Sequence, residues 1–79
     1  MNNMNTEIKL GIYKHSKKGT EYRVVCLAKH SETLEDMVVY EALYNNELSK
    51  FWARPAHMWS ELVVVDGVEV PRFVFLRSE

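Results

Sequence analysis

ELVVVDGVEVPRFVFL, residues 61–76, is the stretch whose reading decides the fold. Asp66-Gly67 stands between valine-rich flanks. An Asp-Gly pair supplies the positive φ that a two-residue hairpin turn needs, and valine favours the pleated, half-buried surface on either side. The stretch therefore predicts a β-hairpin at the end of the chain, the strongest local signal in the sequence.

Working toward the N-terminus, FWARPAHMW (residues 51–59) crowds two tryptophans around one proline. KFWAR, from Lys50 to Arg54, predicts a strand stopped at Pro55, which has no N–H to give a ladder. Pro55 then suits the start of a short helical turn through AHMWSE. MVVYEALY, from Met37 to Tyr44, reads as another strand, because Val-Val-Tyr in its centre prefers a sheet to a helix. EYRVVCLAKH, residues 21–30, alternates Tyr22, Val24, Cys26 and Ala28 on one face with Val25 and Leu27 on the other. Apolar residues on both faces suggest a strand covered twice, as in a small closed barrel. LGIYKH, from Leu10 to His15, predicts a first strand ending in the polar turn SKKG. HSETLED, from His30 to Asp36, predicts a turn whose Ser, Thr and acidic side chains bond to nearby backbone. Residues 1–8 read as a flexible start and residues 9–79 as a single domain. The architecture expected is mainly β: a small, partly open SH3-like barrel of five or six short antiparallel strands with one short helical turn.

With 79 residues the chain has room for one core. A domain this short buries only about 60% of its unfolded surface, so most large apolar side chains are needed inside. A single cysteine, Cys26, rules out a disulfide within the chain and suits a reducing cytoplasm. The start MNNMNTEIK has no apolar segment of a signal peptide, and the longest apolar run, LVVV, is far short of a membrane span. Residues 1–30 carry six Lys and Arg against two acids, whereas residues 31–49 carry five acids and no Lys or Arg. Such asymmetry fits either a basic face for an anionic partner or two solvated strands of opposite sign lying side by side.

G-x-Y-x-H (Gly11, Tyr13, His15) is followed by Y-x-V at Tyr22 and Val24, then A-x-H-S-E-T from Ala28 to Thr33. V-V-Y (Val38 to Tyr40), L-Y (Leu43, Tyr44), W-x-R-P (Trp52, Arg54, Pro55), Met58-Trp59 and V-P-R-F (Val70 to Phe73) complete the series. In this order the pattern resembles the bacterial family catalogued as domain of unknown function 1653, from about Gly11 to Phe73. Ala53 and Trp59 stand where that family more often shows Val and Phe. The resemblance implies a small bacterial cytoplasmic domain, brings no established activity and names no cofactor. It marks His15, His30, Ser31, Glu32, Thr33, Arg54 and Arg72 as polar members of the pattern.

Cys26, His15, His30 and His57 lack the close pairs that a zinc site uses, and no metal is expected. His30, Ser31 and Glu32 are adjacent, whereas a catalytic triad is assembled from separate segments, and all three glycines are isolated, so a small hydrolase relying on His30 or Glu32 is the reading with least support. Small barrels act mostly as recognition modules, a fold-level analogy. Trp52 and Arg54 lie two apart on one strand, so an indole stands beside a planar guanidinium fork suited to a phosphate, carboxylate or base. The expected ligand-binding set is His15, His30, Glu32, Tyr40, Trp52 and Arg54. The partner would be an anionic ligand or nucleic acid, with no membrane role. Two rival readings concern the same residues: Arg54 in an ion pair with Glu32 or Glu41, and the tryptophans as core. A further alternative is a protein-interaction module that uses strand edges such as Leu62–Val65 and Phe73–Leu76.

Overall fold

The computed structural model describes residues 8–79, so the expectation of a flexible start lies almost wholly outside the described residues. Seven strands and one helical turn follow in order: β1 Gly11–His15, β2 Glu21–Lys29, β3 Asp36–Ala42, β4 Phe51–Pro55, α1 Ala56–Trp59, β5 Leu62–Val65, β6 Val68–Pro71 and β7 Phe73–Arg77. The mainly β, antiparallel and partly open architecture matches the sequence reading. The strand number is higher than five or six, because V-P-R-F does not continue one strand. The chain breaks at Arg72, so that β6 stays with β5 while β7 joins the main sheet.

That sheet has five strands in the order β4-β3-β2-β1-β7. β4 pairs only with β3 and β7 only with β1, so the sheet curls without closing. β5 and β6 form a separate hairpin, with Val63 opposite Val70 and Val65 opposite Val68. Its turn holds Asp66 at φ 54° and Gly67 at φ 78°, the two positive values that an Asp-Gly turn accommodates. Its base is tied to the β1–β2 turn: Ser16 N–H donates to the Arg72 carbonyl at 2.8 Å and Ser16 Oγ donates to that of Pro71.

Strand alternation builds the core on the concave face. Tyr13, Tyr22, Val24, Val38, Tyr40, Ala42 and Phe73 point inward, and α1 supplies Ala56 and Trp59, three apart and so on one side of the turn. Trp59 stacks on Phe73 with ring centroids 3.8 Å apart and meets Tyr13 and Tyr40 edge-on at 5.2 and 4.9 Å. Aromatic pairs of this kind add about 0.5–1.5 kcal/mol each beyond area burial, which a core this small needs. The tryptophan of α1 thus plugs the open side of the sheet.

Two sequence expectations fail here, for one reason. The β2–β3 register slips between Val24 and Cys26, so Val24 faces Tyr40 while Cys26 faces Val39. The bulge at Val25 turns Cys26 away from the core, so the thiol that strict alternation places beside Tyr22 and Val24 is exposed instead. Val25, Leu27 and Ala28 are exposed as well, so β2 is not covered twice. The charge asymmetry resolves into facing strands: Arg23 pairs with Glu41 and Lys29 with Asp36 across the β2–β3 ladder, both at 2.7 Å. Among the described residues no helix is long and apolar enough to cross a membrane.

Candidate functional site

The two turns HSKKG and HSETL are built alike. In the first, Nδ1 of His15 accepts the backbone N–H groups of Lys17 and Lys18, both at 3.2 Å. In the second, Nδ1 of His30 accepts those of Glu32 and Thr33 at 3.1 and 3.3 Å. Each turn closes with an N–H four residues on, from Gly19 to the His15 carbonyl and from Leu34 to that of His30, both at 2.8 Å. Each closing residue is left-handed, Gly19 at φ 75° and Leu34 at φ 64°. The histidines do the work that Ser or Asp does at a helix N-cap, satisfying two otherwise orphan donors.

From this common scaffold the two histidines part. His15 ends β1 on the concave face, buried edge-on against Phe73 with centroids 5.0 Å apart. Because Nδ1 accepts two hydrogen bonds, the ring proton sits on Nε2 and the imidazole is neutral. Burial, and then the positive fields of Lys18, Arg72, Arg54 and Lys17, push its pKa below the usual histidine value. His30 stands instead at the far end of β2, and its turn bonds to itself: Thr33 Oγ1 accepts the Glu35 N–H at 3.3 Å.

One cleft of about 230 Å³ opens on the concave face, and all five strands of the sheet line it. β1 gives His15, β2 Tyr22, β3 Tyr40, β4 Trp52 and Arg54, and β7 Phe73. Lys18 from the β1–β2 turn and Tyr44, Asn46 and Leu48 from the β3–β4 loop form its rim. Four of the six expected residues therefore meet here: His15, Tyr40, Trp52 and Arg54. His30 and Glu32 lie outside the cleft. Tyr22, Tyr44 and Phe73 belong to the motif series in the sequence and lie outside the expected ligand-binding set, although they line the cleft. Asn46 and Leu48 had no such signal, being ordinary loop residues.

The rim is cross-linked by polar contacts. Thr20 Oγ1 donates to the Tyr22 hydroxyl at 3.0 Å, which meets that of Tyr44 at 3.1 Å, and Asn46 Nδ2 donates to Tyr44 at 3.2 Å. Burial raises the pKa of Tyr22. The Trp52 indole donates to the Ser49 carbonyl at 3.0 Å, so its N–H is taken by the loop.

Arg54 is the exception. Its Nε donates weakly to the Tyr40 hydroxyl at 3.4 Å, and its guanidinium lies 5.4 Å from the centroid of Phe73. Arg23, Arg72 and Arg77 each have a carboxylate partner, whereas among the described residues Arg54 has none. The expected ion pair with Glu32 or Glu41 is not formed. Glu41 is claimed by Arg23 at 2.7 Å and by Lys50 at 3.2 Å, on the other face of the same ladder. Among the described residues no Asp or Glu lines the cleft, which leaves Arg54 and Lys18 as its charges. Among the described residues no three His, Cys, Asp or Glu side chains are grouped as a metal site requires.

A family model described as "Protein of unknown function (DUF1653)" matches residues 11–75. The chain also resembles the crystal structure of a DUF1653 protein from Bordetella bronchiseptica. The two share 32% identity over 92% of each chain, with a TM-score of 0.85. No curated protein matches. The matched span includes every residue of the cleft, and the chain belongs to the DUF1653 family.

Proposed function

We propose that this DUF1653 domain is a non-enzymatic binding module whose concave cleft recognises an anionic group, carried by a small ligand or a nucleic acid. One observation carries the reading: among the described residues, the arginine that lacks a carboxylate is the one that lines an aromatic-walled cleft free of acids. An arginine fork presents several N–H groups in a plane and stays charged, so leaving it unpaired beside Lys18 favours an incoming anion. The neutral His15 adds an Nε2–H donor, and Tyr40 and Trp52 provide walls on which a planar group can rest. Nothing in the cleft pairs a nucleophile with a base, which fits binding rather than turnover.

The test is an amide, indole and guanidinium NMR titration with single-stranded RNA, duplex DNA and a nucleotide mixture at two salt concentrations. Saturable, salt-sensitive shifts at Arg54, His15 and the Trp52 indole are expected. Arg54→Ala should abolish them while the domain keeps its unfolding midpoint. Shifts absent from all three ligands, or unchanged in the variant, would remove the proposal.

An assembly role has separate support. β7 ends the sheet with Val74 and Leu76 exposed, and the hairpin exposes Leu62, Val64 and Val68. Edges of this kind pair readily with another strand. A solution mass that stays monomeric at high concentration would dismiss self-assembly by this route.

A further inference from the structure

We propose that the anion the cleft takes is a terminal phosphate monoester borne on a planar carrier, an inference that rests on the anion reading above and narrows it. The Tyr22 hydroxyl is engaged by Thr20 and Tyr44. The Asn46 side chain bonds at both ends, its oxygen accepting the Leu48 N–H at 2.9 Å and its nitrogen donating one of its two hydrogens to Tyr44. Nδ1 of His15 accepts two N–H groups, and the Trp52 N–H is held by Ser49.

What remains without a partner among the described residues is donors: the terminal nitrogens of Arg54, the Lys18 ammonium, Nε2–H of His15 and the hydroxyl hydrogen of Tyr40. The acceptor sites left over are second lone pairs on tyrosine hydroxyls that are already bonded, so a ligand that must itself donate, such as the edge of a nucleobase, is served less well than one that accepts. A group made of acceptors on every side does fit. These donors come from four separate places (β1, the β1–β2 turn, β3 and β4), so they reach the cleft from both sides of β2 rather than from a single strand. A tetrahedral group with three terminal oxygens satisfies such an arrangement better than a flat carboxylate with two, or a diester whose third oxygen is capped. Charge agrees: Arg54 and Lys18 supply two positive charges, and a phosphate monoester carries about −1.5 to −2 at neutral pH.

The β3–β4 side of the cleft adds apolar surface beside the Tyr44 hydroxyl and the Asn46 amide. Leu48 is 86% exposed although it lines the cleft, and Tyr44 beside it is 38% exposed. With Trp52 they leave a surface that a flat ring would cover. The cleft is smaller than the roughly 300–1,000 Å³ of drug-sized pockets, so it accommodates one ring and one phosphate rather than a longer ligand.

The experiment titrates the isotope-labelled domain with phenyl phosphate, its methyl diester, benzoate, inorganic phosphate and a nucleoside 5′-monophosphate. Phenyl phosphate should bind at least about tenfold more tightly than the diester or benzoate, because it alone engages all the donors with charge. The nucleotide should exceed inorganic phosphate, with shifts at Trp52 and Tyr44. Arg54→Lys, which keeps the charge without the fork, and Lys18→Ala, at an exposed turn, should each weaken phenyl phosphate binding several-fold. Equal binding of benzoate or the diester would overturn the phosphate assignment yet leave the anion reading standing. Inorganic phosphate binding as well as the nucleotide would overturn the planar carrier. Silence from every probe would end both readings together.

Discussion

Gly11→Ala is the substitution whose cost the geometry fixes best. Gly11 has φ 145°, and a Cβ placed there would stand 2.6 Å from the Arg77 carbonyl oxygen and 2.9 Å from a ring carbon of Phe75. The first of these contacts is with backbone, so β7 must shift. The backbone conformation alone costs a non-glycine residue about 1–3 kcal/mol. Forcing extra volume into a packed contact adds about 1–3 kcal/mol more. The sum, roughly 2–6 kcal/mol, compares with a total stability of about 4–12 kcal/mol for a domain of this size, at ~0.05–0.15 kcal/mol per residue. Gly19 gives the control: it lies at φ 75° with nothing within 4 Å of its Cβ position, so Gly19→Ala meets the backbone term and no contact. Urea unfolding followed by tryptophan fluorescence should show the Gly11→Ala midpoint lowered by roughly 1–3 M, taking a slope of about 2 kcal/mol/M, mid-range for small proteins. The Gly19→Ala midpoint should fall much less. Equal midpoints for the two variants would show that β7 does not press on β1 as described, and the reasoning would fail.

His15 makes stability depend on pH. Its folded pKa lies below the usual 6.5, so the unfolded chain binds the proton more readily. Its contribution is therefore complete above about pH 6.5 and is lost as pH falls from there through the lower folded value. His15→Asn keeps an acceptor near the Nδ1 position and should flatten the urea midpoint between pH 7.5 and 5.5. An unchanged slope would assign the effect elsewhere. Leu34→Gly should stabilise the domain. Leu34 holds φ 64° while 66% exposed, so relief of the backbone strain, about 0.5–1 kcal/mol net of the added chain entropy, loses little packing. A lower thermal midpoint in that variant would show that the leucine side chain matters more than its backbone.

The hairpin at Asp66-Gly67, the stop at Pro55 and the single helical turn after it were legible in the sequence because local chemistry dictates them. Closure was not. Apolar residues on both faces of β2 look the same whether a second layer covers them or a bulge exposes them, and alternation cannot reveal the slip at Val25. The fate of Arg54 was equally hidden: its partner depends on which face Glu41 occupies, and Glu41 belongs to Arg23. The shared opening of HSKKG and HSETL is visible in the sequence. Its meaning, a histidine capping each turn through Nδ1, needs the backbone geometry. His15 and His30 look equivalent as letters and are equivalent as caps. Position in the sheet separates them, one on the concave face and one at the end of the longest strand.

Phe73 touches the indole of Trp59, the edge of His15 and the guanidinium of Arg54. One ring is thus both the floor of the cleft and a member of the core. In larger proteins a layer of intervening side chains lets a recognition surface drift while the interior stays fixed. Here no such layer exists, and the two vary as one. A replacement at this position that loosens the interior also tilts the cleft, and any occupant that leans on the ring tightens the whole domain by mass action. The surface of this small sheet has little freedom to diversify except at its rim, where Lys18 and Leu48 are held by turns rather than by the core.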